Sequence, residues 1–196
     1  MASTIDHSAP TQAPRPAPSD AELVDRSIDD PDVFGQIFDR HVDAIWRYVA
    51  ARLGPDAAED VVSETFAIAF TRRARFDTVA TSARPWLYGI ATNRLMKHRD
   101  AEIRWLARAA SMPAEPTGDD PAVRAADRID AAGLVGPLAA ALLKLSDRER
   151  DVVLLHAIDG LTHDEIARAL GIRAGTARTR LSRGLARMRT TLEEGT

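Results

Sequence analysis

The stretch THDEIARALGIRAGTARTRLSRGLARMR, Thr162–Arg189, decides the fold of the chain's second half. Thr162 and Glu165 stand at the spacing where a hydroxyl caps a helix and the glutamate reaches back to the cap. Ile166, Ala167 and Leu170 then recur at helical intervals. Gly171 is free to turn left-handed, and Ile172 carries apolar bulk into the junction. A second helix is expected from about Ala174 towards Leu192, with Ala177, Leu181 and Met188 packing on the first. Two short helices about a tight glycine turn make a helix-turn-helix.

The same region gathers charge. Gly171–Arg189 holds six arginines and no acid, while the whole chain carries a formal net charge of -3 and a pI near 6.0. Thr176, Arg180, Arg183 and Arg187 are expected to line the side opposite the apolar one, flanked by Arg178, Thr179 and Ser182, with Arg173 at the helix entrance. Such a helix fits the major groove, where a bidentate arginine contributes about 1–3 kcal/mol of discrimination for guanine. Hydroxyls and the remaining arginines suit phosphate. One arginine on a surface helix reads as a solvated face; an acid-free ridge on the second helix of a helix-turn-helix reads as a DNA contact. A second basic block, Thr71–Arg99, sets seven bases against Asp77 alone. Two basic islands in an acidic body describe the chain better than its net charge.

Composition narrows the function classes. Cysteine is absent from the 196 residues, which excludes disulfides, thiol catalysis and cysteine-ligated zinc. The five histidines (His7, His41, His98, His156 and His163) show no metal-ligand spacing, and no phosphate-binding glycine loop occurs. No enzyme, no cofactor and no metal site are expected. No apolar run is long enough to span a bilayer and no signal peptide pattern opens the chain, so a cytoplasmic protein without membrane contact is expected.

The periodicity reads as all-α: two small helical domains joined by a flexible linker. Residues 1–20 are Pro/Ala-rich and read as a disordered tail, 21–109 as the first domain, 110–131 as the linker and 132–196 as the second domain. Asp30-Pro31 reads as a helix start, with Phe34, Ile37, Phe38, Val42, Ile45, Trp46 and Val49 at helical spacing up to Leu53. Asp56 and Glu59 are spaced as a capping box for the next helix. RFDTVATSA (Arg75–Ala83) reads as a loop, and a third helix is expected from Pro85 past Trp105. Ser146 and Glu149 form a further capping-box pattern.

Three motifs in order carry a resemblance. DAAEDVVSETFAIAF (Asp56–Phe70), ARPWLYGIATNRLMKHR (Ala83–Arg99) and LSDRERDVVLLHAIDGLTHDEIARALGIRAGTARTRLSRGLARMR (Leu145–Arg189) together resemble the extracytoplasmic-function (ECF, group 4) sigma factors of bacterial RNA polymerase. The first is similar to that family's "DAEDLVQETF" helix and the second to its "WLYRIARN" helix; the third is similar to its −35-reading domain. The resemblance implies a σ2 domain for core binding and −10 recognition and a σ4 helix-turn-helix domain for −35 recognition. It implies core RNA polymerase (β′ clamp helices and β flap) and promoter DNA as partners, and allows an anti-sigma factor as another.

Carried over by position, Glu59, Asp60, Glu64 and Phe66 are the candidates for docking on polymerase. Asp77, Thr78, Ser82 and Arg84 in the loop, with Trp86, Tyr88, Asn93, Arg94, Lys97 and Arg99 on the helix, are the candidates at −10. Arg173, Thr176, Arg178, Thr179, Arg180, Ser182, Arg183 and Arg187 are those at −35. The sequence departs from the family's pattern at Arg173-Ala174, Ala177 and Gly184, and the last is expected to weaken its helix by about 1 kcal/mol relative to alanine. The alternative is a helix-turn-helix regulator that is not a sigma factor. It would need a sensing domain, and the first half shows no alternating strand pattern for one.

Overall fold

Ser19 starts the first helix. Its hydroxyl accepts from the Glu22 N–H, and the Glu22 carboxylate accepts from the Ser19 N–H at 2.7 Å. This capping box opens α1 (Asp20–Asp29), earlier than the change of pattern read at Asp30. A helix with only Leu23 and Val24 buried among its large apolar side chains leaves a faint periodic signal. The computed structural model describes residues 17–111 and 136–194. The expected tail up to residue 16 and the linker over 112–131 lie outside them.

The start read at Asp30 is also corrected. Asp30 makes no side-chain cap; Pro31–Phe34 is a 3-10 turn, and α2 follows over Gly35–Leu53. α3 spans Pro55–Arg72. Its expected Asp56–Glu59 box does not form, because Pro55 already occupies the first helical position and Asp56 lies inside the helix. The single helix expected past Trp105 is two: α4 (Arg84–Leu95) and α5 (Arg99–Ser111), broken by a 3-10 turn at Met96–His98. The second half comprises α6 (Gly136–Leu143), α7 (Asp147–Asp159), α8 (His163–Leu170) and α9 (Ala174–Glu194). Both capping boxes read there, Ser146–Glu149 and Thr162–Glu165, are formed. The described residues contain helices and no strand.

Rings hold the first module. Tyr48 and Tyr88 meet edge-to-face at 5.1 Å, Phe34 and Phe70 at 5.4 Å, and Phe38 and Phe66 at 4.8 Å. Each such pair contributes about 0.5–1.5 kcal/mol beyond its burial. The Tyr48 hydroxyl lies 2.8 Å from the Thr92 hydroxyl, and burial pushes its pKa up to about 12. Asp20 ties three segments together. Its carboxylate accepts from the Ala83 N–H at 2.8 Å and from Arg40 at 3.2 Å, and it sits 2.8 Å from His41 Nε2. Burial pushes that carboxyl up, but the His41 and Ala83 hydrogen bonds outweigh it and leave the pKa at about 2.

The second module has an aliphatic core: Leu142, Leu145, Val152, Val153, Leu155, Leu161, Ile166, Ala177, Leu181 and Met188. Gly184 belongs to it. A Cβ there would lie 2.6 Å from Val153 Cγ2, so the glycine lets α9 cross α7 in contact. The residue expected only to weaken its helix is a packing requirement.

The modules touch along three seams: α4 on α8, α5 on α6, and α2 on α7. At the first, a Cβ on Gly89 would lie 2.6 Å from the Ala169 carbonyl oxygen, so backbone meets backbone. At the last, Arg52 donates to both oxygens of Glu102 (2.7 and 3.1 Å) and to Asp151 at 2.5 Å. Arg150 sits 3.3 Å from Glu102 and donates to the Leu142 and Leu145 carbonyls. Arg52, Glu102 and Arg150 are all buried.

Candidate nucleic-acid interface

The turn before α9 is built as its residues dictate. Gly171 adopts a left-handed φ of 63°, and the Ile172 N–H returns to the Ala167 carbonyl at 3.0 Å. α9 buries Ala177, Leu181, Gly184 and Met188. An α-helix turns about 100° per residue. The line Thr176, Arg180, Arg183 and Arg187 therefore stands about a quarter turn from the buried face, not opposite it as expected. Gly175, Thr179, Ser182 and Ala186 face directly away, and Arg178 and Arg189 occupy the other flank.

That phase divides the arginines. Arg173, Arg178 and Arg183 are exposed and make no ion pair among the described residues. Arg187 pairs with Glu149 of α7 at 3.0 Å, which ties the expected ridge's far end to its own module. Arg180 is half-buried and walls a cleft between the modules. Thr176 is half-buried; Ser182 and Thr179 are exposed, and the Thr179 hydroxyl donates back to the Gly175 carbonyl at 2.9 Å.

The first module's candidates fall into three groups. In the loop, Asp77 accepts from the Val79 N–H at 3.0 Å and Ser82 from the Arg84 N–H at 3.3 Å, while Thr78 stands exposed beside Val79. On α4, Tyr88 is fully buried against Tyr48, so in this arrangement it offers no ring to a base. Trp86 is half-buried against Phe76 at 5.1 Å. The cations are mostly engaged. Arg84 holds Asp159 of α7 through its side chain at 2.6 Å and its carbonyl, Arg99 holds Asp147 at 3.0 Å, and Arg94 holds Glu64 of α3 at 3.1 Å. Asn93 and Lys97 are exposed.

On α3, Glu59 and Asp60 are exposed, and Glu64 is exposed but paired. Phe66 is buried and supports the exposed Phe38 ring. The cleft between the modules, about 820 Å³, is walled by Gly89, Asn93 and Met96 on one side and Arg168, Ile172 and Arg180 on the other. The Arg52–Glu102–Arg150–Asp151 cluster behind it carries no local sequence signal: its members stand 50 and 99 residues apart along the chain. Among the described residues no group of histidines and carboxylates is disposed to hold a metal ion, and no helix is long and apolar enough to cross a membrane.

The chain is similar in sequence and fold to known proteins. The Sigma-70 region 2 family matches residues 37–104, and the Sigma-70, region 4 family matches 136–188. The ECF RNA polymerase sigma factor SigL of Mycobacterium tuberculosis is 34% identical over 161 residues, which is 81% of this chain and 88% of that protein. The ECF RNA polymerase sigma factor SigW of Bacillus subtilis is 32% identical over 175 residues, 84% of this chain and 91% of that one. In fold, the chain is similar to CnrH in its complex with the cytosolic domain of CnrY, with a TM-score of 0.67 at 23% identity, covering 90% of this chain and 99% of CnrH.

Proposed function

The chain belongs to the ECF sigma factors of bacterial RNA polymerase, which direct core polymerase to promoters, and from that premise we propose how its own residues divide the work. The first module, from Asp20 to about residue 109, engages core polymerase and −10; the second, from about residue 132, reads −35. Residues 110–131 join them. The chain works in the cytoplasm beside polymerase and performs no catalysis of its own.

At −35 the reading side is the exposed and opposite flank of α9: Arg173, Arg178, Thr179, Ser182 and Arg183. The observation that carries it is that Arg178 and Arg183 on the second helix of a helix-turn-helix, and Arg173 at its entrance, are exposed and make no ion pair among the described residues. Arg178 and Arg173 suit phosphate, and Arg183 suits a base edge. At −10, Asn93 and Lys97 with the loop Asp77–Ser82 meet the strand. Glu59 and Asp60 dock on polymerase, with Phe38 as the apolar anchor that Phe66 holds in place.

RpoE of Bartonella quintana forms a complex with the anti-sigma factor NepR, and this chain is similar to it in fold (TM-score 0.58, 22% identity). A protein inhibitor of that kind is a proposed partner here too.

Run-off transcription with core polymerase across a randomised promoter library tests the assignment. Arg183→Ala is expected to relax preference at one −35 position by about 1–3 kcal/mol, with core binding intact. Unchanged preference at every −35 position would remove α9 as the reader.

A further inference from the structure

We propose that α1 is a splint for the loop assigned to −10. It holds both ends of that loop, and Asp20 and Arg73 are positioning residues that set which −10 base is accepted without touching DNA. The proposal rests on that assignment. Two hydrogen bonds, at opposite ends of one helix, carry it.

The loop's exit is fixed at Asp20. The N–H of Ala83, fully buried where α4 begins, donates to Asp20 Oδ2 at 2.8 Å. A buried N–H without an acceptor is costly, so this bond decides where the loop's last residue lies. Asp20 is itself locked by α2. His41 Nε2 lies 2.8 Å from Oδ2, and Arg40 donates to Oδ1 at 3.2 Å and to the Pro18 carbonyl at 2.8 Å. The carboxylate has no freedom to follow the loop; the loop follows it.

The entrance is fixed near the other end of α1. Arg73 stands in the 3-10 turn Arg73–Arg75, where α3 ends, and its Nε donates to the Ser27 carbonyl at 3.0 Å. Ser27 is among the last four residues of α1, whose carbonyls a helix leaves without an internal partner. Arg73 is held besides by the Phe70 carbonyl at 2.7 Å and by the Phe70 ring beneath it at 4.0 Å. Spacing then shapes the loop. Asp20 and Ser27 stand about 10 Å apart along the helix axis at about 1.5 Å per residue. Residues Ala74 to Ser82 would reach about 30 Å if extended at about 3.3–3.6 Å each. The slack bows the loop outward, and Asp77, Thr78 and Val79 stand exposed on it. Asp77 closes the bow, its carboxylate accepting from the Val79 N–H and its carbonyl from the Ala80 N–H, each at 3.0 Å. A base pocket on such a bow keeps its shape only while its ends keep their separation.

Run-off transcription by the holoenzyme, with promoters randomised at −10 or at −35, tests the splint. Asp20→Ala and Arg73→Ala each cut one of the two bonds. Each is expected to lower discrimination at a −10 position about fivefold, the equivalent of one hydrogen bond, with −35 preference unchanged. Asp20→Asn keeps an oxygen for the Ala83 N–H and should restore most of the loss. Where Asp20→Ala does not fold, Arg73→Ala, at a half-buried position, gives the same readout. Amide exchange in the free chain reads the splint directly: the Ala80 N–H should exchange about fivefold faster in both variants, with α2 amides unchanged. A uniform fall in transcription from every promoter, with −10 preference intact, would mean support of the fold alone and overturn the proposal. Unchanged exchange at Ala80 would overturn it too. The double variant Asp77→Ala/Thr78→Ala separates the two failures. If it alters −10 preference while Asp20→Ala and Arg73→Ala do not, the splint falls and the −10 assignment stands. If it leaves −10 preference unchanged, the assignment falls and the splint's role in promoter choice falls with it.

Discussion

The two modules are held by different means. All the aromatic residues of the chain lie between Phe34 and Trp105, in the first module, where rings pair edge-to-face and tyrosine hydroxyls find buried partners. The second has no phenylalanine, tyrosine or tryptophan; aliphatic side chains fill it, and two reciprocal capping boxes start two of its short helices. A ring brings large area and a polar handle to a single position, so a few positions fix the first module. Short aliphatic helices depend more on their ends. The difference is measurable, because near-ultraviolet dichroism and tryptophan fluorescence see the first module alone, whereas far-ultraviolet dichroism sees both.

The largest expected effect tests the ring core. Tyr48→Ala removes a fully buried ring and the hydroxyl that Arg52 and Thr92 share. It should destabilise the first module by about 3–5 kcal/mol, as other ring deletions from cores do. The fluorescence-detected transition in urea should drop well before the far-ultraviolet signal is lost. Coincident transitions would show that the second module does not stand without the first.

Next comes Asp20, whose pKa of about 2 lies below its ordinary 3.8. A depressed carboxylate contributes stability that is present above its unfolded pKa and lost as pH falls through the folded one. That contribution is about 2 kcal/mol, lost between about pH 4 and pH 2. Acid titration followed by tryptophan fluorescence should show it, and Asp20→Asn should flatten the loss over that interval.

The two smaller effects belong to the second module. Gly184→Ala gains helix propensity of about 1 kcal/mol but drives a methyl against Val153, an overpacking cost of about 1–3 kcal/mol. A net loss of about 1 kcal/mol in far-ultraviolet urea melts is expected, restored by adding Val153→Ala. A stabilised Gly184→Ala would mean that α9 moves away from α7 freely. Ser146→Ala breaks the box that starts α7 and should cost about 1 kcal/mol. If fluorescence reports this loss as strongly as far-ultraviolet dichroism does, the modules unfold as one and the contrast between them is only local.

Much of this was legible because its causes are local. Ser146 with Glu149, Thr162 with Glu165, the left-handed Gly171 and the face of Ala177, Leu181 and Met188 all act within a few residues, and all are formed. The family was readable for a similar reason, since its motifs are contiguous. What escaped depends on distant partners. Arg52 sits in the phase of an apolar stripe yet is buried, and only residues 50 and 99 positions away explain it. On α9 the spacing of the arginine line repeats along one stripe, but only its phase against Ala177, Leu181 and Met188 shows that it stands about a quarter turn from the core and not opposite it. Gly184 itself read as a weakness, since the Val153 methyl it accommodates lies in another helix. Tyr88 looked available to a base because its burial comes from Tyr48 and from the other module's edge.

One consequence of the Arg52 and Arg150 contacts concerns time. Each arginine has partners within its own module: Arg52 keeps both oxygens of Glu102, and Arg150 keeps the Leu142 and Leu145 carbonyls. When the modules part, neither guanidinium is stranded, and water reaches Asp151 from the side that opens. Separation then proceeds without passing through a bare buried charge, the feature that makes other buried pairs slow and costly to break. The seam is therefore joined by charges that each keep a partner on their own side, so its two faces are complete surfaces in their own right.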